Sequence, residues 1–470
     1  MIARWSALGT AVVLVAACSD GSEAPADSRS PRPRHAVVIL IDTLRPDRLG
    51  CYGHDRNTSP HIDGLAARGV RFDRAVSPAP WTLPATGALL SALPPEQAFD
   101  VDSRLASSLV EELNAAGLAT AAFTESAFVS AHFGMNRGFD TWWEEGEMSA
   151  VVDGEQVAGG KAGAGAKVTF DRAIGWLRAR DETPFVLLVH TYEVHTPYRR
   201  ARYAEELESG RFGGTLEIPD LRRMQDGSLA PTDDELAYVS ALYDGGVRAA
   251  DRHVGRLLDE LDRLGLTEET LVVVTSDHGE ELGDHHPAFT ADHGHSLKDD
   301  LLLVPLIVAD PTRAVPAGVV DWQVRLQDVL PTVADRLGVP WAGATAGRSL
   351  VAMMDGGDGR HRPAISGHTK AGVPRRSLRD GRHKLILADE GERTAGESGP
   401  PVVPRRQLYD LQSDPGEQFD VSADHPELTQ ELSAALRAWQ RRVGKPAARL
   451  QPDAADAALR ERLEALGYVK

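Results

Sequence analysis

Strand-like apolar runs alternate with helical patterns along most of this chain. Continuous β-branched runs are typical of strands buried on both faces, and they read HAVVILID, LATAAF, PFVLLVH, TLVVVTSD and LLLVPLIV. Two segments show helical periodicity. In SPHIDGLAARG, Pro60 suits the first turn of a helix. In residues 233–265, we expect the helix to break at Gly245 and Gly246. The alternation predicts βαβ units and therefore an α/β fold.

The composition changes after about residue 345. The stretches SLRDGRHKLILAD and RRQLYDLQSDPGEQFDVS read as short antiparallel strands joined by turns, and two helical segments follow them. We therefore predict a main domain over residues 35–345 and a smaller α+β subdomain over residues 346–470.

The N terminus, residues 1–17, carries a targeting pattern. A basic residue precedes a short apolar core, and small residues lead to Cys18. The ending LVAAC resembles the lipobox of bacterial lipoproteins, in which the cysteine becomes the lipidated mature N terminus; an ordinary signal peptide is the alternative. Residues 18–34 are polar and proline-rich, which predicts a disordered tether. We expect an exported protein on the periplasmic side of a bacterial membrane, with a lipid anchor at Cys18.

The charge and the cysteine count narrow the choice of partners. The formal net charge of -18 leaves no basic excess to neutralise phosphates, which argues against a nucleic-acid partner. Beyond the N terminus the chain has no apolar run of about 18 residues, the length that a membrane span needs. The two cysteines are Cys18 and Cys51, so a lipidated Cys18 leaves no intramolecular disulfide.

Acidic and imidazole side chains cluster at the ends of the predicted strands. They are Asp42 after HAVVILI, His190 and His195 at the end of PFVLLVH and beyond it, Asp277 and His278 after LVVVTS, and His293 and His295 before LLLVPLIV. Singly, such an aspartate often caps a helix and a loop histidine is usually exposed. Together they favour a site, because ligands bind at the carboxyl edge of open α/β sheets. Mixed carboxylate and imidazole ligands suit Zn²⁺ or Mn²⁺, whereas an all-oxygen set favours Mg²⁺ or Ca²⁺.

Several longer motifs follow one another in a defined order. They are VVILIDTLRPDRLGCYG, TSPHIDGLAARGVRFDRAVSPAPWTLPATGALLSAL, FGMNRGFDTWW, HTYEVHTPY, VTSDHGEELGDH and DLLLVPLIV, followed by GRHKLIL and QLYDLQSDPGEQFDVS. From roughly Arg34 to the C terminus this order resembles the sulfatase family of the alkaline phosphatase superfamily. The resemblance implies an α/β sandwich with a large mixed central sheet flanked by helices, plus a smaller C-terminal α+β subdomain. It also implies one divalent metal ion and a metal-bound nucleophile.

Carried over position by position, the resemblance implies a role for each candidate residue. The implied metal ligands are Asp42, Thr82, Asp277 and His278, with Mn²⁺, Zn²⁺ or Ca²⁺ as the ion. Thr82 would also supply the nucleophile, and His195 and His293 would contact the substrate anion or protonate the leaving group. The implied substrate is a small-molecule, glycan or lipid ester of sulfate or phosphate.

The chain departs from the family pattern at the nucleophile and nearby. Typical sulfatases carry a C/S-x-P-S-R motif whose first residue is oxidised to formylglycine, whereas this chain has Thr82–Thr86, read TLPAT. Thr43 replaces the usual second metal-binding aspartate, and Ser130 replaces the usual lysine of a Lys-x-His pair. His278 stands where many members have asparagine, which favours Mn²⁺ or Zn²⁺.

These departures leave several functions open. A threonine ester cannot collapse as a formylglycine hemiacetal does, so water or another acceptor must attack the sulfur or phosphorus of the ester. This requirement favours a phosphate-type ester as the substrate. We expect a metal-dependent hydrolase of sulfate or phosphate esters with a covalent intermediate on Thr82. The alternatives are a phosphoryl-type transferase, similar to phosphoethanolamine transferases, and a catalytically degenerate lipoprotein that binds anionic glycans. A further alternative for Thr82 alone is a helix cap.

The stretch GEELGDHH after the strand TLVVVTSD carries further polar residues. We expect Glu280, Glu281 and Asp284 to form a solvated acidic loop, and His285 and His286 to lie at the surface.

Overall fold

The computed structural model describes residues 31–145, 150–152, 155–157, 165–198, 200–207, 221–225, 228–229, 231–285, 290–313, 317–341, 345–357, 359–370, 374–388, 405–444 and 463. Residues 1–30, which hold the targeting segment 1–17, Cys18 and most of the tether 18–34, lie outside this range. The predictions of export and of a lipid anchor therefore stay predictions, as does the domain boundary at residue 345. Among the described residues, no helix is both long and apolar enough to cross a membrane.

Strands and helices alternate through the first part of the chain, and strands precede the last helix. The strands are β1 (His35–Ile41), β2 (Val70–Val76), β3 (Ala119–Thr124), β4 (Thr141–Glu144), β5 (Ala150–Val152), β6 (Glu155–Val157), β7 (Phe185–Thr191), β8 (Thr270–Thr275), β9 (Leu303–Ala309), β10 (Gly318–Val320), β11 (Val324–Arg325), β12 (Ala364–Ser366), β13 (Arg375–Arg379), β14 (His383–Ala388) and β15 (Arg406–Asp410). The helices are α1 (Pro60–Ala66), α2 (Thr82–Ser91), α3 (Pro95–Ala98), α4 (Leu109–Ala115), α5 (Gly165–Ala179), α6 (Ala201–Leu207), α7 (Leu221–Gln225), α8 (Asp233–Arg263), α9 (Asp299–Leu302), α10 (Val329–Leu337), α11 (Val351–Met354) and α12 (Pro426–Val443).

One large mixed sheet forms the centre of the molecule. Its order within the described residues is β10-β2-β9-β8-β1-β7-β3-β4-β5-β6, and β11 also pairs with β2. Strands β8, β1, β7, β3 and β4 are parallel neighbours, whereas β9 is antiparallel to both β8 and β2. Helices α2, α4 and α10 cover one face, and α1, α5 and α8 cover the other. The predicted fold class is confirmed.

Strand β1 shows why its sequence is continuously apolar. Every residue from His35 to Ile41 is buried. Ala36, Val38 and Leu40 pack into the core on one face, and the alternate residues Val37, Ile39 and Ile41 pack into the core on the other. Because successive side chains of a strand point to opposite faces, a central strand between two helical layers needs apolar residues at every position.

Helix α8 contradicts the expected break. It runs unbroken over 31 residues, through Gly245 and Gly246. A Cβ at Gly246 would lie 3.0 Å from the carbonyl oxygen of Glu193, and one at Gly245 would lie 2.7 Å from that of Arg200. The glycines therefore allow the loop after β7 to pack closely against the helix, and they do not interrupt it.

The predicted antiparallel strands of the C-terminal part are present. They form a second sheet with the order β12-β13-β14-β15, in which neighbouring strands are antiparallel. Leu432 and Leu436 of α12 pack against Leu378, Leu385 and Leu408 of this sheet. The second predicted C-terminal helix, residues 453–468, lies outside the described residues except for Leu463.

Candidate active site and metal centre

The predicted metal ligands meet because their strands are neighbours. Asp42 directly follows β1, and β1 pairs in parallel with β8, with Leu40 opposite Thr275. Asp277 and His278 follow β8 within three residues of its end. Parallel strands end at the same edge of a sheet, so adjacency in the sheet brings together residues that lie more than 200 positions apart in the sequence.

Asp42, Asp277 and His278 form one compact, fully buried group. One ligand atom from each lies within 4.8 Å of the others, and none of the three side chains is exposed. Among the described residues, no donor forms a hydrogen bond to Oδ1 of Asp42 or Oδ2 of Asp277. Buried carboxylate oxygens without a donor are costly unless a cation lies next to them. The residues present therefore fit a divalent ion.

The charges in this group support the same interpretation. Burial, followed by the charge of Asp277, raises the pKa of Asp42 well above its ordinary value. The other oxygen of Asp277, Oδ1, accepts hydrogen bonds from the backbone N–H of His278 at 3.0 Å and of Thr43 at 3.4 Å. A cation between the carboxylates would offset both the repulsion and the loss of solvent.

His278 is held in the tautomer that a metal ligand needs. Its Nδ1–H donates to the carbonyl oxygen of Gly279 at 2.8 Å, and burial lowers its pKa. The ring is thus neutral, and its Nε2 lone pair faces Oδ2 of Asp277 at 3.4 Å. A backbone partner on one ring nitrogen orients the other toward a metal.

Thr82 lies beside this group and is fully buried. It is the first residue of α2, and Trp81 occupies the cap position. The Thr82 hydroxyl donates to Oδ2 of Asp42 at 3.1 Å, and its Oγ1 lies 3.3 Å from Nε2 of His278. The helix-cap alternative for Thr82 is therefore wrong. The positive end of α2 also lies at this hydroxyl, which favours negative charge there.

Thr43 stands where the resemblance placed a missing aspartate, and its backbone is strained. Its φ is 59°, in the left-handed region that β-branched residues rarely adopt. The hydroxyl of Tyr243 donates to the Thr43 carbonyl at 2.6 Å, and the Thr43 hydroxyl donates to the carbonyl of Asp42 at 2.7 Å. Thr43 thus shapes the loop that follows Asp42 through backbone contacts.

His293 lies next to His278, and His195 lies next to His293. The ring centroid of His293 is 4.5 Å from that of His278 and 4.9 Å from that of His195. Nδ1 of His293 lies 2.9 Å from Oε1 of Glu280, and the hydroxyl of Tyr198 donates to Oε2 of Glu280 at 3.1 Å. Burial, and then the charges of His278 and His195, lower the pKa of His293 well below its ordinary value.

The predicted solvated acidic loop is wrong for Glu280 and Glu281. Both side chains are fully buried, and burial followed by the charge of Asp292 raises the pKa of Glu280 well above its ordinary value. Asp284 is exposed as expected and pairs with Arg45. The sequence could not show this burial because Tyr198 and His293, the partners of Glu280, lie in distant segments.

His285 is also not at the surface. Its Nδ1 lies 3.3 Å from Oδ2 of Asp300, and its Nε2 lies 2.7 Å from the carbonyl oxygen of Gly416. With Glu281 and Asp300 it forms a second compact group of ionisable side chains. His286 lies outside the described residues.

Two further residues near the site were given no role by the family resemblance, although His190 belongs to the predicted cluster at the strand ends. His190, in β7 opposite Leu40 of β1, is fully buried with Nε2 3.5 Å from Oδ2 of Asp42. Lys370, from the C-terminal part of the chain, donates its backbone N–H to the carbonyl of Gly294 at 2.7 Å. The position of His190 at a strand end indicates that it lies near the site, whereas no sequence motif around Lys370 indicates a role for it.

Comparisons with known proteins identify the family of this chain. Residues 34–339 match the protein family described as Sulfatase. Arylsulfatase K of Bos taurus is 24% identical over 491 aligned positions, covering 93% of this chain and 87% of the relative. The multifunctional alkaline phosphatase superfamily protein PehA of Trinickia caryophylli is 28% identical over 244 residues. That second match covers 46% of each protein, so this chain spans about half the length of PehA.

Solved structures show the same fold. BT4656, solved in complex with its substrate D-glucosamine-2-N,6-O-disulfate, has a TM-score of 0.69 at 19% identity, covering 89% of this chain and 99% of that one. Phosphonate monoester hydrolase of Agrobacterium radiobacter has a TM-score of 0.66 at 19% identity, covering 88% of this chain and 96% of that one. The family match spans more than half of the sequence, and on this basis the chain belongs to the sulfatase family of ester hydrolases.

Proposed function

We propose that this protein hydrolyses sulfate or phosphate esters, with Thr82 as the nucleophile beside a divalent ion held by Asp42, Asp277 and His278. The position of the Thr82 hydroxyl carries this proposal. It does not cap its own helix, and it lies 3.1 Å from Asp42 and 3.3 Å from His278. A buried hydroxyl within a set of metal-ligand side chains is in the right place to attack a bound ester.

The donor set supports a particular kind of ion. Two carboxylates and one neutral imidazole, with the Thr82 oxygen beside them, favour Mn²⁺ or Zn²⁺; Ca²⁺ would be preferred by oxygen ligands alone. When bound, such an ion lowers the pKa of a neighbouring hydroxyl and neutralises charge on the transferred group.

The chain's own residues can support both halves of a two-step reaction. Oγ1 of Thr82 would pass its proton to Oδ2 of Asp42, to which its hydroxyl donates, and would bond to the sulfur or phosphorus while the bond to the leaving oxygen breaks. Water would then cleave the Thr82 ester, and one of its protons would return to Oγ1. His293 is neutral at rest because its pKa is low. A bound anionic ester would favour the protonated ring, so His293 or the neighbouring His195 would protonate the leaving oxygen.

The substrate class is narrowed by the same chemistry. A sulfate ester on threonine cannot release sulfate through collapse of a hemiacetal, as an ester on formylglycine does. Water must therefore attack the central atom in the second step, and this attack is easier at phosphorus than at sulfur. A phosphate-type ester is therefore the preferred substrate, with a small molecule, glycan or lipid as the leaving group. Arylsulfatase K and the phosphonate monoester hydrolase carry the names of hydrolases, which favours hydrolysis over transfer and over a binding role.

A panel of chromogenic esters tests this proposal. Full-length protein loaded with Mn²⁺ or Zn²⁺ would be assayed on an aryl sulfate, a phosphate monoester, a phosphodiester and a phosphonate ester. We expect turnover of at least one phosphate-type ester and its loss in Thr82→Ala, with Thr86→Ala in the same helix as the matched control. Full activity of Thr82→Ala would overturn the nucleophile assignment, and metal-loaded wild type that turns over none of the four would overturn the proposed reaction.

A further inference from the structure

A short segment of the C-terminal part of the chain, residues 366–370, runs along the corner that leads to Thr82. The hydroxyl of Ser366 donates to the carbonyl of Ser77 at 2.6 Å, and the backbone N–H of Gly367 donates to the carbonyl of Pro78 at 2.9 Å. We call residues 366–370 the strap. These bonds join sequence positions that are nearly 300 residues apart.

The strap continues past this corner to the histidine loop. The indole N–H of Trp81 donates to the carbonyl of His368, a non-glycine residue with a φ of 59°. Nε2 of His368 lies 3.3 Å from Oε1 of Glu96, which is buried. At the end of the strap, the backbone N–H of Lys370 donates to the carbonyl of Gly294 at 2.7 Å. The left-handed residue turns the strap, and the hydrogen bonds fix where Lys370 lies.

The Lys370 side chain crosses a space that a glycine leaves open. A Cβ at Gly294 would lie 2.9 Å from Cβ of Lys370 and 3.6 Å from its Cδ, and 3.7 Å from Cβ of Trp81. Gly294 follows His293 in sequence, and Trp81 precedes Thr82. The lysine stem therefore passes between the segment that carries His293 and the corner that carries Thr82.

The strap thus brings a cationic side chain between these two segments of the site. Burial lowers the pKa of Lys370 itself to about 8, against the opposing charge of Asp292. Keeping a cation in such surroundings is costly, so a bound anion would be strongly favoured beside it.

We infer that Lys370 is a substrate-binding residue of this site, whose ammonium group contacts an anionic oxygen of the transferred phosphoryl or sulfuryl group. This inference rests on the proposed function and names a residue that completes it. Ester transfer needs positive charge facing the oxygens on which transition-state charge develops. The strap brings a lysine from the C-terminal part of the chain to this site.

Anion binding and kinetics together test the inference. Inorganic phosphate and inorganic sulfate would each be titrated by calorimetry into metal-loaded, full-length wild type, Lys370→Met and Lys370→Arg. We expect Lys370→Met to weaken phosphate binding at least about tenfold and to lower kcat/KM by about 10²-fold, with Lys370→Arg retaining most of both. The matched control is Arg382→Met, which removes an exposed cation of the same part of the chain and should change neither quantity.

The outcomes separate this inference from the proposed function. If wild type hydrolyses esters and Lys370→Met binds phosphate and turns over substrate equally well, the role of Lys370 is overturned while the proposed function stands. If wild type hydrolyses no ester, the proposed function fails, and phosphate binding lost in Lys370→Met alone still supports an anion site. A thermal melt of each variant identifies loss of folding. If Lys370→Met does not fold, the test compares Lys370→Arg with Lys370→Gln. A folded Lys370→Arg that binds phosphate no better than Lys370→Gln contradicts the inference.

Discussion

Glu280 Oε1 lies 2.9 Å from Nδ1 of His293, and both side chains are buried. The contact restricts the orientation of the imidazole, whose ring centroid lies 4.5 Å from that of His278 and 4.9 Å from that of His195. The second carboxylate oxygen is held by the hydroxyl of Tyr198. Glu280 thus positions a histidine that we propose acts on the substrate, although it follows the metal ligands in a stretch that reads as a solvated loop.

Replacing Glu280 should therefore impair catalysis without removing the metal. We expect Glu280→Ala to lower kcat by about 10²-fold and to shift the pH profile of kcat, because His293 loses its partner. Glu280→Gln keeps an acceptor oxygen and should recover part of the rate. Tyr198→Phe, which removes one hydrogen bond to Oε2, should have a smaller effect. Unchanged kcat and pH profile in Glu280→Ala would show that the contact is only structural.

Metal content should depend on the buried carboxylates. Purified wild type should contain about one Mn²⁺ or Zn²⁺ per chain by elemental analysis, and Asp277→Ala should lose it, because its Oδ2 has no other partner among the described residues. Asp284→Ala is the matched control, since Asp284 is exposed in the same stretch. An ion that remains bound at full stoichiometry in Asp277→Ala would exclude this ligand set.

The His285 group should make stability depend on pH above neutrality. Burial alone would disfavour the charged ring, but the hydrogen bond to Asp300 outweighs it and raises the pKa of His285 to about 9. Because the folded-state pKa lies above the unfolded value, the contribution is complete below about pH 6.5 and is lost as pH rises through about 9. Burial and Asp300 raise the pKa of Glu281 to about 8, which acts in the same direction.

Denaturant unfolding of wild type and His285→Gln should show this directly. At about pH 6.5 we expect the variant to be less stable by on the order of 2 kcal/mol, and the difference should shrink toward zero above about pH 9. His253→Gln, at a histidine whose pKa burial lowers to about 4, should show no such dependence in this pH range. An equal difference between wild type and His285→Gln at both ends of the pH range would contradict the assignment.

Two helix glycines should respond in opposite directions to alanine. Gly246→Ala should destabilise the protein by about 1–3 kcal/mol and reduce activity, because its Cβ would press on Glu193 in the loop that carries His195. Gly175→Ala in α5 meets no atom within 4 Å and should stabilise by about 0.5–1 kcal/mol. Thermal unfolding of both variants checks the contrast, and a neutral Gly246→Ala would argue against close packing there.

The proposed lipid anchor has a simple test. Full-length protein expressed in a Gram-negative host should fractionate with membranes and carry lipid at Cys18. Cys18→Ala should no longer carry it. Recovery of wild type in the soluble periplasmic fraction, cleaved without lipid, would favour the alternative of an ordinary signal peptide.

The sequence predicted those parts of the molecule that depend on residues close together in the chain. The apolar run of β1 and the aspartate after it indicate a central strand with a polar end, and Asp42 lies where that pattern placed it. The break predicted at Gly245 and Gly246 is wrong, because a glycine pair in a helical pattern usually indicates a break. Here the two glycines allow Glu193 and Arg200 to pack against the helix.

The rest of the site depends on contacts between distant segments. Glu280 reads as solvated until Tyr198 and His293 are placed around it. Lys370 has no motif, and only the strap's hydrogen bonds to the corner before Thr82 bring it to the site. No period or spacing in a single sequence records such contacts, because each partner lies in a segment with its own local pattern.

Rapid-quench mass spectrometry tests the role of Thr82 most directly. Metal-loaded, full-length wild type would be quenched in acid during turnover of its best phosphate-type ester, and the peptide that contains Thr82 would be analysed. We expect one phosphoryl group on Thr82, absent without substrate and absent from Thr82→Ala. Steady turnover with an unmodified Thr82 at every quench time, together with an active Thr82→Ala, would contradict it.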